Sequence, residues 1–484
     1  MGRVDVECDA VVVGAGPNGL AAAVALARAG AAVVVLEATD SIGGGTRVAE
    51  LTLPGFVHDV CSGAHPMGIL SPFLRQLPLE RHGLEWLRAG ASVAHPLDDA
   101  PAVMLWRSLD RTCDGLGRDG EAYRRIVAPF LENPHGLLAD LLAPLRFPSH
   151  PLTFARFGAL AAWPATWMAR AAFRATPARS LWGGCAAHSI LPLSHFTTSA
   201  LGLLFPITAH VEDWPVVRGG SIGITRALAS YLNELGGTIV TGVRVRSAAD
   251  LPAARVYLFD TDPHQLARIC ESALPPTYAR RLRSYRFGPG AFKVDWALDG
   301  PIPWADPNCL EASTVHLGGS IDEISASEAA AWRGDHHARP FVLVLQQSMF
   351  DPTRAPPGQH TGYAYCHVPH GSTVDMTAPI EAQVERFAPG FRARILARNA
   401  TFPADFERMN ANYVGGAITG GAADLAQLFT RPVARLDPYS TPNPRIYLCS
   451  ASTPPGGGVH GMCGYHAAAS ALRSIDRFDR GPLV

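Results

Sequence analysis

The sequence predicts an α/β fold in which a parallel-sheet domain is split by inserted segments of mixed helix and sheet, and three stretches carry that prediction. In the first, a β-rich run at 9–13 leads into the turn Gly14-Ala15-Gly16-Pro17-Asn18-Gly19. An alanine-rich helix at 20–28, closed by Gly30, and a strand at 33–36 ending on Glu37 follow. In the second, between 214 and 262, a Gly-Gly turn precedes a helix at 222–235 and strands at 238–245 and 254–259. In the third, a strand at 445–449 is followed by a Pro/Gly-rich loop at 453–464 and a helix at 465–475. Each has the rhythm of an α/β layer, and the composition changes between them. Residues 1–75, 215–285 and 440–484 are therefore assigned to one Rossmann-type domain, discontinuous in sequence. Residues 76–214 and 286–439 are assigned to an inserted α+β substrate-binding domain. A chain of 484 residues with 48% apolar content can bury cores of that size.

Gly14-x-Gly16-x-x-Gly19 lies between a strand and a helix, the context in which this spacing binds a dinucleotide. Gly14 permits the turn, Gly16 lets a pyrophosphate approach the backbone, and Gly19 lets helix pack on strand. The helix N-terminus, with Pro17 and Asn18 at its start, offers amide donors and partial positive charge to the phosphates. Glu37, at the end of the second strand, is placed to accept hydrogen bonds from an adenosine ribose and to repel a 2′-phosphate.

The formal net charge of -1 leaves no excess of cations for phosphate neutralisation, so nucleic-acid partners are not expected. The first residues alternate apolar and charged side chains (Arg3, Asp5, Glu7) without a long apolar segment, so a cytoplasmic chain without a secretory signal is expected. The nine cysteines are dispersed without a C-x-x-C pair, and no H-x-x-x-H or H-E-x-x-H spacing occurs; neither redox disulfide nor metal is expected. Of 41 basic residues one alone, Lys293, is a lysine. Arginine can replace lysine at most solvated positions but cannot give up its proton, so the surviving lysine invites a chemical role.

The run from Glu37 through Ala38-Thr39-Asp40-Ser41-Ile42-Gly43-Gly44, then Leu53-Pro54-Gly55-Phe56 with Asp59, resembles the flavoprotein superfamily of phytoene desaturases, carotenoid isomerases and flavin amine oxidases. The resemblance recurs over 215–235 and is most specific at 448–464. There Ser450-Ala451-Ser452-Thr453-Pro454-Pro455-Gly456-Gly457-Gly458-Val459-His460-Gly461-Met462 is similar to the flavin-binding segment of phytoene desaturase-like proteins. The resemblance implies FAD as cofactor, contacted by Gly43, Gly44, Arg47, Val245, Ser450, Ala451, Gly458, Val459 and Met462 beside the glycine turn. Two positions depart from the family pattern. Ala451 stands where many relatives place a ribityl-contacting acid, and Gly45 where many place a phosphate-contacting arginine, a role left to Arg47.

Lys293 lies in the strand-like run 291–298, whose period of two puts Phe292, Val294, Trp296 and Leu298 on one face and Lys293 with Asp295 on the other. In flavin amine oxidases a lysine in a comparable strand, followed by a similar Pro-x-Trp (here Pro301-Ile302-Pro303-Trp304), holds a water beside flavin N5. Carried over, that role makes Lys293 a candidate for proton movement or oxygen reactivity; the plainer reading is a packing pair with Asp295. His460, in the C-terminal loop, is the second catalytic candidate, ahead of His65 and His367.

Residues 141–211 hold no acidic side chain, but carry five arginines (Arg146, Arg156, Arg170, Arg174, Arg179) among Phe154, Phe157, Trp163, Trp167 and Phe173. The arginines and Pro164 interrupt the stretch too often for a membrane span. Two expectations remain, a helical lid on its own domain or peripheral membrane contact through 141–182. Together these features imply an FAD-dependent oxidoreductase of dehydrogenase or desaturase type. It would abstract hydride from a small apolar, isoprenoid- or polyene-like substrate and pass the electrons to oxygen or a quinone. Three alternatives share the motifs: an amine oxidase-like flavin oxidase, a redox-neutral isomerase using reduced FAD, and a non-catalytic flavoprotein. Against the first, Met462 stands where aromatic-cage members have a tyrosine.

Overall fold

The computed structural model describes residues 7–483, so the N-terminal alternation through Arg3 and Asp5 lies outside them. A parallel sheet has the strand order Ile446–Leu448, Val256–Phe259, Ala10–Val13, Val33–Leu36, Thr238–Val240. Segments far apart in sequence thus share one sheet. Its inner strands read as unbroken apolar runs because both faces are covered. Val12, Val35 and Leu258 pack into one core with the helices Pro17–Arg28 and Met462–Leu472, while Val11, Val34 and Phe259 pack into another with the helices Pro263–Ile269 and Pro276–Arg283. Gly464 lets the first two helices meet: a Cβ there would lie 1.9 Å from the Asn18 carbonyl oxygen.

A second, seven-stranded sheet runs in the order Ile395–Thr401, Gly290–Leu298, His360–Val368, Val342–Leu345, Ala312–Leu317, Ala91–His95, Val103–Trp106. It is antiparallel except where Ala312–Leu317 meets Ala91–His95. On one face Phe292, Val294, Trp296 and Leu298 pack with Ala364, Cys366 and the helix Thr377–Phe387. Lys293, Tyr363, Tyr365 and His367 belong to the opposite face. Helices at Pro151–Ala161, Ala165–Ala172, Thr176–Ala187 and Ser199–Glu212 cover that side, burying Phe157 and Phe173. Among the described residues no helix is long and apolar enough to cross a membrane.

Several element ends differ by a few residues from the sequence expectation, among them the helix Pro17–Arg28 and the strands Val256–Phe259 and Ile446–Leu448, and two of the differences have a clear local reason. The strand expected at 238–245 stops at Val240 because Gly242, at φ 73°, turns the chain and donates its N–H to the Thr39 carbonyl at 2.9 Å. The helix expected at 465–475 begins at Met462 and ends at Leu472. Gly461 takes φ 69°, and the His460 ring nitrogen Nδ1 accepts the Met462 N–H at 3.0 Å, satisfying a helix-start donor that Ser, Thr, Asp or Asn would ordinarily satisfy.

Candidate active site

A cavity of about 940 Å³ joins the carboxyl ends of the parallel strands to the covered face of the second sheet. Its first half is built around the glycine turn. Gly14 takes φ 109°, and a Cβ at Gly16 would come within 2.9 Å of an Asp260 carboxylate oxygen. Asp260 directly follows the strand Val256–Phe259, and its Oδ2 accepts the Gly19 N–H at 2.9 Å. Burial pushes its carboxyl up to about 8; the Gly19 hydrogen bond opposes the shift and the nearby Glu37 adds to it. Glu37 braces the same turn, accepting the Ala15 N–H at 2.8 Å and the Thr39 N–H at 3.0 Å. The Arg47 guanidinium reaches Glu37 at 3.3 Å and the Met409 carbonyl at 2.8 Å. Gly45 faces Tyr413, whose hydroxyl would lie 2.0 Å from a Cβ, so an arginine side chain has no room there.

A cation comes instead from far along the chain. Arg431 is buried and lines the cavity, donating to the Tyr285 hydroxyl and the Ala451 carbonyl, each at 3.0 Å. No carboxylate pairs with it among the described residues, an arrangement that is costly unless an anion joins it. Asn18 Oδ1, Arg47 Nε and Thr261 Oγ1 are likewise buried without partners. A glycine cradle, open polar atoms and an uncompensated guanidinium suit the phosphates and hydroxyls of a dinucleotide.

Of the residues marked from sequence, Gly14, Gly16, Pro17, Asn18, Glu37, Gly44 and Arg47 line this cavity from the N-terminal side. Val245, Lys293, Ser450, Ala451, Gly458, Val459 and His460 line it from later segments. Gly19, Gly43 and Met462 do not. Gly19 is pressed against the Gly14 carbonyl, Gly43 against Ile222, and Met462 is buried in the helix core. Val459 takes φ 54°, a strained conformation for a β-branched residue, of the kind that gathers at functional sites.

Residues 12–77 match the NAD(P)-binding Rossmann-like domain family. The mouse pyridine nucleotide-disulfide oxidoreductase domain-containing protein 2 is 28% identical, the match covering 98% of this chain and 95% of that protein. The lycopene-forming phytoene desaturase of Pseudescherichia vulneris is 26% identical over 96% of this chain and 99% of its own. A triple mutant of putrescine oxidase shares the fold with a TM-score of 0.61 at 18% identity, over 97% of this chain and 99% of that one. Over nearly its whole length the chain is thus similar to phytoene desaturases and to the mouse oxidoreductase domain-containing protein.

The second half of the cavity lies on the second sheet. Register places Lys293 beside Tyr365, Tyr365 beside Leu343, and Ala291 beside His367, all five lining the cavity. Lys293 is buried, forms an ion pair with Asp295, and sets its ammonium 4.3 Å from the Tyr363 ring centroid. Burial pushes the Asp295 carboxyl up to about 6, with the Lys293 charge opposing the shift. The packing pair therefore exists, and the same lysine faces the cavity. His460 is buried, which pushes its imidazole down to about 4, and its Nδ1 accepts the Met462 N–H. The ring is thus a neutral donor through Nε2, which has no partner among the described residues. Phe154, Phe157, Leu201, Leu204, Phe205 and Trp214 make the walls apolar.

Asp260 and Arg431 escaped sequence reasoning. Asp260 had a usable signal, the first position after the fourth parallel strand in chain order, at the edge where such sheets bind ligands. Arg431 had none, since its segment joins the site only through tertiary contacts.

Proposed function

We propose that the chain is an FAD-dependent oxidoreductase that abstracts hydride from an apolar, isoprenoid- or polyene-like molecule and passes the electrons to oxygen or a quinone. The observation that carries this reading is one continuous cavity with a glycine-turn cleft at one end and an apolar chamber at the other. FAD, when bound, supplies the two-electron acceptor. Glu37 would receive the adenosine ribose, while the N-terminus of the helix Pro17–Arg28 and Arg431 would hold the pyrophosphate. Lys293, fixed by Asp295 and Tyr363, would hold a water and move a proton at its ammonium nitrogen. His460 would donate from Nε2, and the aromatic walls would keep solvent out.

Anaerobic photoreduction of the purified protein tests the reading, followed by rapid mixing with air-saturated buffer or a soluble quinone, for wild type and Lys293→Met. A bound flavin that reduces and is reoxidised by one of the two is expected, with flavin content kept in the variant and reoxidation slowed at least about tenfold, the scale of a lost proton-transfer group. Protein that takes up no flavin overturns the reading; equal rates in the two proteins remove only the lysine's role.

A further inference from the structure

The chamber is not apolar throughout. On the sheet face, His367 is buried and lines the cavity. Its Nδ1 lies 2.7 Å from an oxygen of Glu328, a carboxylate buried in the helix Ile321–Arg333. A carboxylate can only accept, so Nδ1 carries a proton, and in the neutral ring it is Nε2 that presents a lone pair. That Nε2 has no partner among the described residues. Opposite, on the lid, His188 also lines the cavity; its Nε2 lies 3.0 Å from the His316 Nε2, and burial pushes its imidazole down to about 3. Tyr365, on the same strand, has a hydroxyl that burial keeps protonated. His367 therefore faces one carboxylate, which orients it, with an uncharged imidazole and an uncharged phenol nearby.

Purely hydrocarbon substrate would leave the buried Nε2 unsatisfied, at a cost that apolar contacts do not recover. An imidazole oriented by a carboxylate is the arrangement of a general base, and a neutral imidazole takes protons from oxygen or nitrogen far more readily than from an unactivated carbon. Lys293 and His367 stand on adjacent strands and the same face, two residues apart in register, a diagonal of about 7–8 Å. One molecule can therefore meet both.

We propose that His367 is the proton acceptor of the oxidation and that the substrate is an apolar molecule bearing a hydroxyl or amine on the carbon oxidised. This rests on the flavin-dependent reading above and narrows it to a carbon–heteroatom bond. The carbon gives up its hydrogen with both bonding electrons to oxidised flavin, the heteroatom gives up its proton to Nε2, and the single bond between them becomes double. The imidazolium so formed is stabilised by Glu328, a positioning residue.

The test uses flavin-loaded protein and three probes, dodecane, 1-dodecanol and dodecylamine, with binding followed by the change in flavin absorbance. Wild type should bind the alcohol or the amine at least about tenfold more tightly than dodecane, the scale of one satisfied buried hydrogen bond. His367→Phe should lose that preference while holding dodecane and flavin unchanged. Histidine ring ¹⁵N shifts of the wild-type holoprotein should show His367 protonated on Nδ1, and Glu328→Gln should shift that tautomer balance. If wild type shows no preference, or His367→Phe keeps it, the proposal fails even where flavin is bound and reducible. Should His367→Phe not fold, a wild-type ring protonated on Nε2 alone overturns the proposal by itself. Protein without flavin would instead bring down the reading on which it rests.

Discussion

At the scale of single residues, the site depends on charges taken out of water. Asp260 is the sharpest case. Its folded-state value of about 8 lies above the ordinary carboxylate value, so between pH 4 and 8 the unfolded chain ionises while the folded chain keeps its proton. Folding then takes up a proton, and stability present at low pH is lost as pH rises through that window. A neutral Asp260 also suits the proposed cofactor, since an ionised one, 2.9 Å from a Cβ at Gly16, would repel a pyrophosphate bound against that glycine. Asp260→Asn can still accept the Gly19 N–H but has no proton to lose. The melting temperature of the variant should gain on wild type between pH 5 and pH 8, by at least about 2 °C for a stability change of this order. Parallel melting curves across that range would refute the assignment. Glu37 was legible in the sequence because strand and acid are contiguous there. Asp260 is less legible because its relation to the turn exists only once the strand Val256–Phe259 has paired with Ala10–Val13.

At the scale of elements, the glycine pattern revealed the nucleotide cleft, whereas the contacts that hold its segments together were hidden. Gly464 was legible as part of a family segment but not as a packing position, because a helix that begins at Met462 instead of near 465 changes which residues face its neighbour. Added at Gly464, a methyl group meets the Asn18 carbonyl and Ala22 nitrogen, backbone atoms that cannot swing aside. Gly464→Ala should therefore separate the helices Pro17–Arg28 and Met462–Leu472 and destabilise the protein by roughly 1–3 kcal/mol, the cost of overpacking a filled core. Flavin affinity should fall with it, as the glycine turn opens the first helix and the His460 loop leads into the second. Chemical denaturation together with flavin titration measures both, and unchanged stability would show that the contact relaxes freely. The period-two reading of 291–298 needed no tertiary knowledge, since alternation is set by the strand itself.

At the scale of the whole molecule, the question is how an apolar compound reaches a buried chamber. Leu145, Leu428, Phe429 and Leu436 line the cavity where it meets the surface, with Phe147 and Leu152 beside them. Leu145, Phe147 and Leu152 are 81%, 85% and 86% exposed, more than a folded surface normally tolerates in one short segment. Arg146, Arg156 and Arg435 are exposed around the same opening. The composition of 141–182 fits either a helical lid or a membrane contact, and its residues divide between the two geometries. Phe157 and Phe173 are packed inside, while residues 145–152 point outward. We propose that this rim rests on an anionic bilayer, its apolar side chains entering the acyl boundary and its arginines meeting headgroups, so that substrate passes into the cavity without crossing water. Wild type should co-sediment with vesicles of mixed phosphatidylglycerol and phosphatidylcholine. The triple variant Leu145→Ser, Phe147→Ser, Leu152→Ser should partition at least about tenfold less, given the transfer energy of three large side chains. Flavin content should not change, because all three side chains are exposed at the rim, and Phe147 and Leu152 do not line the cavity. Vesicle binding that is absent in wild type, or retained by the variant, would mean that the rim serves some other contact and that substrate arrives through solvent.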